Sequence, residues 1–253
     1  MSVKNRNLYF HLGTVFAILL IITSVLLVTI VLEMRNNDRR NGWHFDDDYG
    51  VNFEGFTQPN AILICCSWGE ELADGELTYI IRDNNKDNNA EDGNSKRLKS
   101  AVHNAILAWD QEIEELTFRE VQNRYNADIE IGFRKSGNEK AGMTKNFFDI
   151  YGFITKSYVV ISEQSFLFRF NGDQIEQIAK HEIGHVLGLG HANFDGSLMA
   201  TRVDSSSGDI SDCEIEAVYE ANHWKLKTEN GNEDTNYDIY HPNINYLECN
   251  NNV

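Results

Sequence analysis

The chain has 253 residues, with 39 acidic and 22 basic side chains and a formal charge of −17. That balance repels polyphosphate and anionic lipid headgroups, and no basic stretch with interleaved aromatics interrupts it, so nucleic acid is excluded as a partner. With 42% apolar and 11% aromatic residues the chain can bury a core, which rules out disorder throughout, and four cysteines are too few for a disulfide-built scaffold.

In chain order, a tail of residues 1–11 leads into Leu12–Leu32, an uncharged apolar run. Its length of about 21 residues at about 1.5 Å rise gives about 31 Å, the thickness of a bilayer hydrocarbon core. The run exceeds a signal-peptide core of about 7–15 residues and leaves through Val31, Leu32, Glu33 and Met34 instead of a small-residue cleavage site. It is therefore expected to be an uncleaved, single-pass transmembrane helix. Lys4 and Arg6 nearly balance Arg35, Arg39 and Arg40 on the other flank; the brevity of the tail favours a cell-membrane protein with its large domain outside, and a cytosol-facing domain is the alternative.

Residues 33–60, with Asp46, Asp47 and Asp48 and no sustained period, read as a juxtamembrane linker. A folded region, 61–224, follows. Ala61–Cys66 is an apolar run, Leu77–Arg82 has strand composition, and Asp83–Ser95 is a polar loop. Leu98, Val102, Ala105, Ile106, Trp109, Ile113 and Leu116 recur three and four apart, which predicts an amphipathic helix from Ser95 to about Leu116. Asp128–Phe133 and Tyr158–Ser162 read as strands, Gln174–Leu187 as a helix capped by Asn171 or Asp173, and residues 225–253 as an Asn-rich polar tail. The predicted fold class is α+β, in mixed α/β layers.

The second helix carries His181-Glu182-Ile183-Gly184-His185. Four residues turn a helix by about 400°, so both imidazoles project on nearly one bearing and can grip a single ion. Glu182, about 100° round, stands beside that ion. Two solvated histidines would explain the pentapeptide alone, but the chain continues Val186-Leu187-Gly188-Leu189-Gly190-His191. On an uninterrupted helix His191 would lie about 9 Å further along and on the wrong face. Gly188 can take a left-handed conformation and turn the chain back, making His191 a third ligand.

HEIGHVLGLGH at 181–191 resembles the zinc signature of the metzincin metallopeptidases, and GHVLGLGH is closest to the matrixin branch. Ser197-Leu198-Met199-Ala200 resembles that family's Met-turn, with Met199 an apolar floor beneath the histidines. The strand and long helix before the motif fit as well, and Ser211–Glu214 supplies a capping box for a last helix with Ile215, Val218 and Tyr219 as its packing side. The resemblance implies a twisted mixed sheet backed by two helices, with a third below. Departures are also visible. Lys135–Gly152 holds no histidine for a second, structural zinc, so one catalytic Zn2+ is expected, with Ca2+ left open through Asp149 and Asp173. Cys213 stands where a matrixin has an acid, leaving Asp212 or Glu214 as its substitute.

The resemblance implies a zinc endopeptidase acting on protein or peptide substrates. Zinc on His181, His185 and His191 would activate water, and Glu182 would take its proton as general base. Substrate would lie extended along an edge strand, for which Ala141–Lys145 is the candidate, with Ala141, Gly142, Met143 and Thr144 as contacts. An inert adhesion module on the same fold is the rival, against which the retained Glu182 argues. Cys65 and Cys66 suggest either a thiolate block on zinc or, more simply, packing in a strand or pairing elsewhere; a Cys213–Cys249 bridge is open to the chain outside the cell.

Overall fold

The computed structural model describes residues 23–24, 28, 43–44, 60–82, 93–135, 140–165, 168–203, 209–223, 225–226 and 245–249. The chain divides into two compact units, Met1–Gly42 and Trp43–Val253. In the first, only Thr23, Ser24 and Val28 are described, and all three are helical. Among the described residues no helix is long and apolar enough to cross a membrane. The rest of Leu12–Leu32, expected to span one, lies outside the described residues.

The second unit contains, in order, β1 (Trp43–His44), β2 (Ala61–Ile64), β3 (Glu76–Ile81), α1 (Gly93–Glu112), β4 (Thr117–Glu120), β5 (Ile129–Arg134), β6 (Gly142–Phe148), β7 (Ile154–Ser162), α2 (Gly172–Val186), β8 (Leu189–Ala192), β9 (Arg202–Val203), α3 (Asp212–Ala221) and β10 (Asn245–Glu248). Five strands form one sheet in the order β4-β3-β5-β7-β6. All neighbours are parallel except β6, which runs antiparallel to β7 along the edge. Strand alternation sends Leu77, Tyr79 and Ile81 of β3 and Ile129, Ile131 and Phe133 of β5 into the core, where α1 and α2 cover the sheet. Trp109 of α1 is fully buried and its indole N–H donates to Lys180 O of α2 at 2.9 Å, fixing one helix on the other.

The predicted helix to Leu116 ends four residues early, at Glu112. Ile113 and Leu116 still pack inward, but Leu116 must deliver the chain to β4, whose Phe118 N–H bonds to Asp110 Oδ1 at 2.8 Å. Apolar spacing reports burial, and here burial outlasts the helix. Two pairings lie outside the predicted strands. Trp43–His44, inside the expected linker, pairs antiparallel with Arg202–Val203. The polar tail supplies β10, which with β2 and β8 forms a three-stranded antiparallel sheet in the order β10-β2-β8. Asn245, Tyr246 and Glu248 of β10 are exposed, so no buried face marks this edge strand in the sequence.

A candidate metal centre at the end of the second helix

Helix α2 opens on a reciprocal capping box: Asn171 Oδ1 accepts from Gln174 N, and Asn171 N–H donates to Gln174 Oε1, both at 2.8 Å. Asn171, not Asp173, is therefore the cap. The helix ends at Val186, and Gly188 has φ +97°, the left-handed region that disfavours a side chain. A Cβ there would also overlap Cys66 O, and Cys65 N–H donates to Gly188 O at 2.9 Å. The turn thus presses directly on the strand-end of β2. After it, β8 runs back and delivers His191.

The three imidazoles converge as the spacing predicts. Ring centroids lie 4.7, 5.4 and 5.0 Å apart, and one ligand atom from each ring falls within 4.8 Å of the others. All three side chains are buried. His181 Nδ1 donates to Leu198 O at 2.6 Å and His185 Nδ1 to Leu189 O at 2.8 Å. A carbonyl only accepts, so both rings carry their proton on Nδ1 and turn an Nε2 lone pair inward. The two Nε2 atoms are 3.0 Å apart. Burial, followed by the neighbouring His185 and His191, holds the His181 pKa well below its usual value, which keeps the ring in the neutral form that binds metal.

Met199 is fully buried beside this cluster, and a Cβ on Gly184 would overlap its Sδ. A mid-helix glycine costs about 1 kcal/mol relative to alanine, and here the missing methyl is the room the methionine occupies. The turn carrying Met199 is held from α3 by Glu214, which is fully buried. Glu214 Oε1 accepts from Ser197 Oγ at 2.5 Å and Leu198 N at 3.0 Å, while Oε2 accepts from Ser211 N at 3.1 Å and from Ser211 Oγ. Of the two acids proposed to replace the residue at Cys213, Glu214 makes the contact. Ala217, Val218 and Ala221 complete the buried side of α3, with Ile215 and Tyr219 only partly covered.

Glu182 is 1% exposed and lies against β6. Thr144 Oγ1 donates to its Oε2 at 2.6 Å, a Cβ on Gly142 would overlap its Oε1, and Asn146 Nδ2 donates to His185 O at 3.0 Å. Residues 142, 144 and 146 share one strand face, so β6 tracks α2 from Glu182 to His185. Ala141 is buried and Met143 half-buried at the start of this strand. Asp149 is occupied within its own loop, its Oδ1 accepting from Tyr151 N and Phe153 N at 2.8 and 2.9 Å. Among the described residues the three histidines are the only cluster of His, Cys, Asp or Glu placed to share an ion. Cys65 is bonded to Cys66 and Cys213 to Cys249. Neither adjacent cysteine reaches the histidines as a thiolate.

The sequence profile of the matrixins, peptidase M10, matches residues 67–220. The chain belongs to the matrixin family. Matrix metalloproteinase-19 of Mus musculus is 32% identical over 113 residues, which cover 41% of this chain and 20% of that protein. This matrixin therefore spans about a fifth of the relative's length. Its mixed sheet and helices α1, α2 and α3 fit a matrixin catalytic domain, and matrixins use zinc, which the triad can hold. Strands β2 and β10 lie outside the matched span, yet they extend the sheet from β8.

Proposed function

We propose that this matrixin is a membrane-anchored zinc endopeptidase whose catalytic unit is 61–224. The observation that carries it is the convergence of His181, His185 and His191 at one point, with the buried Glu182 next to His181 on the same helix. The donor set suits zinc: three neutral nitrogens, with two rings oriented by backbone carbonyls. When bound, zinc supplies a Lewis acid that polarises a carbonyl and acidifies water. The chain's own residues do the rest. His181, His185 and His191 would hold the ion; Gly188 and Met199 would shape and floor its site. Glu182 would accept a proton from the attacking water and return it to the leaving amine nitrogen.

Among the described residues β6 is an edge strand of the five-stranded sheet, and its edge at Ala141, Gly142, Met143 and Thr144 would pair with an extended substrate through main-chain hydrogen bonds. Leu12–Leu32 would anchor the domain, and the Cys213–Cys249 bridge favours its exposure to an oxidising, extracellular compartment. The test uses the full chain in detergent, loaded with zinc and offered a peptide library. Wild type should cleave and be stopped by chelator, whereas Glu182→Ala should retain zinc and lose cleavage. No cleavage by zinc-loaded wild type would favour the inert adhesion module; equal cleavage by both would reject Glu182 as base.

A further inference from the structure

Large apolar side chains stand out of the protein at one end of the five-stranded sheet: Tyr125 is 88% exposed, Phe147 39%, Phe148 46%, Ile150 91% and Tyr151 61%. They are neighbours. Phe147 faces Lys156 across the β6–β7 ladder, and Lys156 Nζ donates to Arg124 O, next to Tyr125, at 3.3 Å. Scattered exposed apolar residues are ordinary, but a group of this size in one place marks a surface that meets something.

The backbone of the turn is firmly built. Asp149 N–H donates to Phe153 O at 2.9 Å, and its carboxylate accepts from Tyr151 and Phe153, closing the β6–β7 turn around Ile150 and Tyr151. The Phe147 ring stands edge-on to Tyr158 with centroids 5.2 Å apart, and Lys145 Nζ lies 5.4 Å from its centre. A register shift between Phe147 and Phe148 bends the strand there and re-aims Phe148. A backbone already held in this turn, with the Phe147 ring packed on Tyr158, loses little freedom when covered.

The group also continues β6, the strand whose other end touches Glu182. Phe148 is four residues beyond Thr144, about 13 Å at strand rise, and the turn begins just after it. A peptide paired with the edge of β6, with its scissile bond beside Glu182, would carry residues four to six positions from the cut onto these side chains. We infer that this aromatic turn is a distal subsite that selects extended substrates bearing apolar side chains four to six residues from the cleaved bond. The inference rests on the endopeptidase reading and deepens it. The occupant is the substrate, because the turn directly continues β6, the strand whose edge beside Glu182 would bind it.

The test compares peptides sharing one cleavable core. A short set ends three residues either side of the bond; a long set extends six further on each side in turn, with either Leu and Phe or Gly and Ser. Using zinc-loaded full chain in nanodiscs, the long apolar peptide on one side should exceed the short one about tenfold or more in kcat/KM, chiefly through KM. Ile150→Ser with Tyr151→Ser should remove that advantage and leave the short peptide unchanged; Phe148→Ser alone should remove part of it. Failure to cut the short peptides would overturn the endopeptidase reading itself. Short peptides cut as fast as long apolar ones would overturn only the subsite, as would variants slowing both sets equally. Variants that lose affinity for phosphatidylcholine vesicles while keeping the long-peptide advantage would assign the patch to the bilayer instead.

Discussion

Thr144 Oγ1 donates a hydrogen bond of 2.6 Å to Glu182 Oε2, joining β6 to α2 with both side chains buried. Gly142, two residues earlier on the same face, leaves the space the other carboxylate oxygen fills. The proposed base is therefore set by the strand beside which substrate would lie. Thr144→Val keeps the shape and removes the donor. It should lower kcat about tenfold with KM within about twofold and zinc content unchanged, since the lost bond orients a group used in the chemical step. Thr144→Ser should restore most of the rate. A KM-dominated loss, or no recovery with serine, would reduce Thr144 to a packing residue.

Gly188 tests whether the third imidazole depends on the turn. Alanine there meets both the positive φ of +97° and the carbonyl of Cys66. Gly188→Ala should cost about 3 kcal/mol in urea unfolding, and the surviving folded protein should hold zinc more weakly as β8 shifts with His191. Gly172→Ala is the control, because nothing lies within 4 Å of its Cβ position. Equal zinc stoichiometry and stability in the two variants would show that the turn tolerates a side chain.

Much of this site was legible because its signals are local. The His181–His185 pair follows from helical rotation, and Gly188 betrays the reversal that brings in His191, all within eleven consecutive residues. Capping boxes at Asn171 and Ser211 likewise act over three residues. What could not be read depends on partners far along the chain. Glu214 looks like a capping-box residue and is one, but its other oxygen holds Ser197 and Leu198, 17 and 16 residues away. Thr144 is 38 residues from Glu182, and β10 earns its strand only by pairing with β2. Gly184 inside the helix is a further local clue, since its cost asks for a close neighbour, which Met199 supplies.

Glu214 should therefore be more than a helix cap. Removing a capping box costs about 1 kcal/mol, whereas leaving the buried Leu198 N–H and Ser197 hydroxyl without their acceptor adds about 1–3 kcal/mol. Glu214→Ala should lose the sum, and Glu214→Gln, which keeps an acceptor oxygen, should lose less than half of it by thermal unfolding. Ser211→Ala, which touches the cap alone, sets the baseline. If Glu214→Ala is no worse than Ser211→Ala, the link to the Met199 turn contributes nothing.

Away from the site, Glu130 of β5 is 1% exposed, with Lys156 Nζ at 2.9 Å, Arg124 Nη2 at 3.4 Å and Arg82 Nη1 at 3.8 Å. Burial pushes its carboxyl up, but the hydrogen bond and charge of Lys156, with Arg124 behind it, outweigh that and hold the pKa below 4.5. A carboxyl lowered on folding contributes stability that is complete above its unfolded pKa and is lost as pH falls through the folded one. Glu130→Gln should thus be less stable than wild type by about 1–2 kcal/mol at about pH 7, discounted because all three cations are partly exposed to solvent. The gap should narrow as pH falls through the folded pKa of Glu130, where wild type takes up a proton at this position. Urea midpoints measured across that interval decide it: a gap that stays constant with pH would mean that shape, not charge, makes Glu130 matter.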